Sequence, residues 1–175
     1  IVADMPTIDP ARLEAKATRI FTAMGAPDGD AAWIAALLVR ANLRGHDSHG
    51  VIRIPQYWES VKKKEVDPRS PVTVTAETPA LVRLDGGGGF GQVVGRRAME
   101  MAIAKAKAGG LSAASTSRTS HVGRLADYAE MAAKAGDSAS AERLLRAAVA
   151  EQDTHWFTEP PPWYFPVRQS LGAVL

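Results

Sequence analysis

The chain of 175 residues contains no cysteine, so disulfides and thiolate metal sites are excluded, and the expected location is the reducing cytoplasm. It has no apolar run near the roughly 20 residues needed to span a bilayer, and no charged segment followed by an apolar one opens it. A membrane role is therefore not expected. The formal net charge is only +2, and Lys and Arg are scattered apart from Lys62-Lys63-Lys64. That triplet closes a predicted helix, where cations suit the negative end of the macrodipole, so no nucleic-acid partner is expected. What is present is ordinary globular usage, 46% hydrophobic and 23% charged, enough for one domain with a core.

The chain opens with two amphipathic patterns. Asp9 is placed to cap a helix with Pro10 at its first position, and Leu13, Ala17, Ile20, Phe21 and Met24 recur at helical spacing before Gly25. A second helix is predicted from Asp30 through Trp33, Leu37, Leu38 and Leu43 to Gly45. Ile52, Tyr57, Trp58 and Val61 predict a third, with Pro55 tolerated in its first turn. Residues 72–76 and 80–84, parted by Glu77-Thr78-Pro79, have the β-branched content and punctuation of a hairpin. The run Gly86 to Gly89 is expected to break the chain before a helix through Val93, Met99, Met101, Ile103 and Ala106, ended by Gly109-Gly110. Residues 111–115 predict a short buried strand, and a last helix is expected from about Gly123 to Lys134. Strands followed by helices give an α/β domain behind a helical N-terminal layer.

Between the second and third helices, Ser48, His49 and Arg53 fall within one short turn and the start of a helix. A hydroxyl, an imidazole that titrates near neutrality and a planar guanidinium fork suit holding and protonating a substrate that carries a carboxylate. Read blandly, Ser48 is a helix N-cap and His49 a polar turn residue.

Three blocks carry a resemblance. Arg44-Gly45-His46-Asp47-Ser48-His49-Gly50-Val51 with Arg53, then Asp85 to Gln92, then Ser120-His121-Val122-Gly123 leading into Tyr128-Ala129-Glu130-Met131-Ala132-Ala133, resemble the malate/L-lactate dehydrogenase family in order and spacing. These are NAD(P)-dependent reductases of 2-oxo acids and imines that do not use the ordinary Rossmann fold. The resemblance covers about residues 7–136. It implies a helical layer packed on a mixed sheet, hydride transfer between NAD(P)H and a 2-oxo acid or cyclic imino acid, and a homodimer with a site completed at the subunit interface. It further implies that Ser48 and His49 form a proton relay, that Arg53 grips the substrate carboxylate, and that His121, Val122, Gly123, Arg124 and Leu125 contact the nicotinamide cofactor, NAD or NADP. The acid/base role is assigned in some relatives to the histidine at 121, so Ser48, His49 and His121 all stand as catalytic candidates.

His46, Asp47 and His49 are residue types that ligate metals, but they lie in a turn without a further ligand close in sequence, and no metal is expected. Arg44 is either a second carboxylate clamp or a helix C-terminal cation, and the second is preferred. Gly86, Gly88 and Gly91 satisfy G-x-G-x-x-G, yet no acidic residue follows near position 115 where a ribose-binding Asp or Glu belongs. They are read as a tight turn where backbone packs closely, not as a cofactor fingerprint. The segment 121–125 is expected to open a helix whose free N–H groups favour an anion.

After Gly136 the character changes. Residues 141–150 are strongly helical, Pro160, Pro161 and Pro162 break an aromatic loop with Trp156, Phe157, Trp163 and Tyr164, and the chain ends on an incipient helix. This tail resembles tetratricopeptide-type repeat helices, which need neighbours to bury their faces. The expected division is 1–137 as a partial dehydrogenase-like domain and 138–175 as a helical tail. Ile1 is not a methionine and both ends look cut; relatives are about twice this length. The rival reading is a non-catalytic helical scaffold or a truncated or chimeric pseudoenzyme.

Overall fold

The computed structural model describes residues 7–136 together with Arg143 and Arg146; the predicted repeat-like tail otherwise lies outside the described residues. In chain order come α1 (Pro10–Ala23), α2 (Asp28–Leu43), 3-10 turns at Asp47–His49 and Val51–Arg53, α3 (Ile54–Lys62), β1 (Thr73–Glu77), β2 (Leu81–Gly89), α4 (Gly91–Gly109), β3 (Ala113–Thr119) and α5 (Ala126–Lys134). The expected α/β class with a helical layer ahead of a mixed sheet is present.

The Asp9 side chain accepts from the Arg12 N–H at 2.8 Å, and Pro10 sits where its missing N–H costs nothing, so α1 begins where its sequence says. α2 begins two residues earlier than expected, at Asp28, behind Pro27. It buries Ala31, Ile34, Ala35, Leu37, Leu38, Val39 and Ala41, whereas Leu43, assigned to the same face, is 66% exposed. Of these, Ala31, Ile34, Ala35 and Leu38 meet Ala17 and Phe21 of α1, Tyr57 of α3, and Phe90 ahead of α4. Phe21 stands edge-on to Phe90 at 5.6 Å between ring centroids and tilted against Tyr57 at 6.0 Å. With no exposure at all, Phe21 is the pivot of this cluster, and truncation to Ala should cost roughly 3–5 kcal/mol.

The sheet has the order β1-β2-β3, with β1 antiparallel and β3 parallel to β2. The α4 crossover joins the parallel pair, as such a pair requires. Val82 and Leu84 of β2 are buried with Ala98 of α4, making a second, smaller cluster. Two expectations fail here. The glycine run does not end the strand, because Gly87 and Gly88 adopt positive φ and the ladder resumes at Gly89 opposite Thr119 after an irregular step. The strand expected at 111–115 lies at 113–119, and its residues are exposed up to Arg118; its small Ala, Ser and Thr side chains form the sheet edge among the described residues.

α5 also starts later than expected, at Ala126 instead of about Gly123. Gly123 has φ +84°, a left-handed conformation that a right-handed helix cannot include, so residues 121–125 remain a loop. The anion-binding helix mouth expected at His121 is displaced to Leu125–Ala126.

Candidate active site

The turn after α2 is tied down by Asn42. Its amide nitrogen donates to Asp47 Oδ1 at 2.5 Å, and its amide oxygen accepts from the Val51 N–H at 2.9 Å. Gly50 lies directly over this amide, and a Cβ there would fall 2.3 Å from Asn42 Oδ1. The turn is therefore held at both ends by one side chain, and glycine is needed for the space it leaves. Within it, Ser48 Oγ and His49 Nδ1 are 3.0 Å apart. Arg53 donates through Nε to the Ser48 carbonyl at 2.5 Å and through a terminal nitrogen to Gln56 Oε1 at 2.7 Å.

His121 arrives from the far end of the described chain. β3 delivers it, and Gly91 at the start of α4 lets it come close: the Gly91 N–H donates to Ser120 Oγ at 2.9 Å, and a Cβ on Gly91 would lie 2.3–2.4 Å from the Ser120 and His121 carbonyl oxygens. Backbone thus packs closely at Gly91, and at Gly86 against the Arg118 carbonyl, but not at Gly88, where a Cβ would meet nothing within 4 Å. The imidazoles of His49 and His121 stand 5.1 Å apart between centroids, with His46 a further 5.1 Å from His49. The structure brings together Ser48, His49, Arg53 and His121, which the sequence placed more than 60 residues apart. Among the described residues, no group of three or more His, Asp or Glu is placed to hold a metal ion.

Electrostatics favour neutral rings. Burial lowers the pKa of His49 to about 4, helped by the neighbouring His121, His46, Arg53 and Arg124. His121 is lowered by burial and then by the Arg53 charge, and His46 by burial and then by Arg124. Arg53 thus acts on both candidate acid/base residues, which places its charge in their shared field.

Sequence reasoning missed two members of this cluster. Tyr57 Oη lies 2.8 Å from His121 Nδ1, and the fully buried Gln92 donates from Nε2 to Tyr57 Oη at 2.6 Å. Trp33 in turn donates its indole N–H to the Gln92 carbonyl at 2.9 Å. Tyr57 was read only as a residue on a buried helix face, and Gln92 only as the end of a glycine block. A polar residue following a glycine run was the sole available signal.

The expected cofactor loop divides in two. His121, Val122 and Gly123 are half-exposed and Leu125 is exposed, but Arg124 is buried. Its guanidinium donates to Asp127 Oδ1 at 2.6 Å and to Glu130 Oε1 at 3.2 Å. Arg44, at the C-cap of α2, makes a two-pronged contact with the same Glu130, and Arg40 approaches Asp127 at 3.4 Å. Arg44 is therefore the helix-end cation of the two readings open to it, and it joins α2 to α5.

Comparison with known proteins agrees with this geometry. A family model described as malate/L-lactate dehydrogenase matches residues 8–141, a little past the boundary expected at 137. The L-sulfolactate dehydrogenase of Methanocaldococcus jannaschii is 41% identical over 108 residues, 62% of this chain and 31% of the relative. The solved malate dehydrogenase of Pyrococcus horikoshii superposes with a TM-score of 0.73 at 37% identity, covering 75% of this chain and 38% of that one. The delta1-piperideine-2-carboxylate reductase of Pseudomonas syringae superposes with a TM-score of 0.68 at 28% identity, covering 74% and 39%. The chain spans about a third of the length of the curated relatives it matches. With the family model matching residues 8–141 and the fold superposing on a solved malate dehydrogenase, the chain belongs to the malate/L-lactate dehydrogenase family.

Proposed function

We propose that this chain is part of an NAD(P)-dependent oxidoreductase that transfers hydride between a nicotinamide cofactor and a small 2-oxo acid of the malate/lactate type or a cyclic imino acid. The observation that carries the reading is the meeting of two imidazoles, His49 and His121, 5.1 Å apart, in the field of Arg53. The names of the relatives, dehydrogenases of malate and sulfolactate and a reductase of a cyclic imino acid, support the substrate class.

Fit to the cofactor is uneven. The accessible residues His121, Val122, Gly123 and Leu125 suit contact with a nicotinamide, whereas Arg124 is committed to Asp127 and Glu130 and offers no charge to a phosphate. In our reading Arg124 sets the position of the loop. When bound, the reduced cofactor supplies a hydride to the substrate carbon. As that carbon is reduced, the C=O or C=N π pair moves onto the heteroatom, which takes a proton that reaches it from solvent by way of His49; oxidation reverses each step. His49, held neutral by burial, is poised as the base that takes the hydroxyl proton in oxidation, with Ser48 Oγ against its Nδ1. Arg53 holds the carboxylate with its planar fork.

The active form is proposed to be a homodimer. Ile20, Leu43, Ile52 and Trp58 of the helical layer are large, exposed and apolar, which suits burial against a second copy. The test of the activity is consumption of NADH or NADPH by the full chain with the 2-oxo acids corresponding to malate, lactate and sulfolactate, and with piperideine-2-carboxylate. Turnover of one of them is expected. No turnover combined with no binding of either nicotinamide would overturn the reading.

A further inference from the structure

The bonds around Tyr57 have a direction. An amide nitrogen can only donate, so Tyr57 Oη accepts from Gln92 Nε2 at 2.6 Å. A phenol has one proton, and the remaining partner of Tyr57 Oη is His121 Nδ1 at 2.8 Å. Tyr57 finds a partner for its own proton by donating to Nδ1, and a neutral imidazole that accepts at Nδ1 carries its own proton on Nε2. The surroundings hold these three groups in place. Gln92 is fully buried in the first turn of α4, its backbone is anchored by Trp33, and Tyr57 is packed between Phe21 and Phe90. Among the described residues Nε2 of His121 has no hydrogen-bond partner, so its N–H is left for a ligand.

We propose that Gln92, acting through Tyr57, is a positioning residue that fixes the proton of neutral His121 on Nε2, making His121 a hydrogen-bond donor to the substrate heteroatom and leaving proton transfer to His49. The proposal rests on the reading that this cluster is the substrate site. A neutral imidazole donor stabilises charge building on the heteroatom without itself gaining or losing a proton. In oxidation, the carbon gives up hydride, the bond between the heteroatom and its proton breaks and its electron pair closes the π bond, and the proton passes to neutral His49, which becomes the imidazolium and returns the proton to solvent; reduction runs the same steps backwards, with His49 first taking a proton from solvent. The chain Gln92–Tyr57–His121 performs for a donor what a carboxylate performs for a histidine base, selecting its tautomer through the other ring nitrogen.

The experiment is nitrogen NMR on the full chain labelled with 15N-histidine at neutral pH, with His121 assigned from a His121→Gln variant. We expect a protonated Nε2 and an unprotonated, acceptor-type Nδ1. Gln92→Glu replaces the donor by an acceptor of similar shape, so Tyr57 should turn its proton toward residue 92 and the His121 proton should move to Nδ1. Should the buried carboxylate prevent folding, Tyr57→Phe keeps the ring packing and removes only the hydroxyl; it should give a mixture of tautomers. A wild-type proton on Nδ1 would mean that the amide presents its oxygen to Tyr57, and it would overturn the proposal, as would an unchanged tautomer in Tyr57→Phe. Turnover reads the other layer. Tyr57→Phe should lower kcat by between about 10- and 10³-fold with little change in KM. The expected tautomer with undiminished turnover would leave the relay standing and remove His121 from the substrate site.

Discussion

Gly91 packs directly on Ser120: the Gly91 N–H donates to the Ser120 side-chain Oγ at 2.9 Å, and a Cβ on Gly91 would sit 2.3 Å from the Ser120 carbonyl oxygen. The obstruction is main chain, which cannot swing aside as the end of a side chain does. Gly91→Ala should therefore push β3 and His121 away from α4, lowering stability by about 1–3 kcal/mol, the usual range for overpacking. Urea unfolding checks this; an unchanged midpoint would show that the contact relaxes freely.

Loss of the His49 imidazole should be a kinetic defect. His49→Ala should reduce turnover by roughly 10²–10⁴-fold, the range of general acid–base catalysis, while cofactor binding stays nearly intact. Steady-state kinetics beside fluorescence titration with NADH or NADPH separate the two effects. Unchanged turnover would move the proton transfer to His121.

Arg53→Lys keeps a positive charge but loses the bidentate fork, so KM for the 2-oxo acid should rise strongly while kcat falls less. Equal kinetics would show that no two-pronged contact is made there.

Stability should carry a signature of His49 at mildly acidic pH. Its folded pKa of about 4 lies below the ordinary value of 6.5, so between those limits the unfolded chain binds the proton and the folded chain does not. Stability therefore falls as the pH drops from 6.5 toward 4. His46 and His121, also lowered, act in the same sense, while Asp127, raised by burial, acts oppositely as it gains its proton. Comparing wild type with His49→Gln isolates the His49 part: the variant should lose less stability on acidification. An equal or steeper loss in the variant would contradict the depressed pKa.

The contrast between what the sequence discloses and what it hides follows the range of each interaction. Asp9 with Pro10 announces α1 because a cap is local chemistry, completed within three residues. The Ser48-His49-Gly50 turn is legible for the same reason, and its likeness to a known family linked it to His121. The start of α5 is missed because the left-handed Gly123 follows from how the loop packs, not from its helical periodicity. Exposure of β3 depends on its place at the sheet edge, which no pattern within residues 111–119 specifies. Gln92 and Tyr57 escape for a further reason: they are 35 and 64 residues from their respective partners, Tyr57 and His121, and each alone is an ordinary polar side chain. Arg124 is the reverse case, a basic residue in a cofactor-like loop whose guanidinium pairs with Asp127 and Glu130, partners that a reading of the loop alone does not announce.

The central claim is that His49, His121 and Arg53 form one site for a carboxylate beside a C=O or C=N group. Its most direct measurement is the NMR of the histidine ring resonances during titration of the full chain with oxalate, a stable mimic of a 2-oxo acid, with acetate as the control for a lone carboxylate. The account predicts saturable shifts at His49 and His121 with oxalate, much smaller ones with acetate, and their loss in Arg53→Gln. Ring resonances of His49 and His121 that stay unmoved by millimolar oxalate, or that move equally in Arg53→Gln, would contradict it.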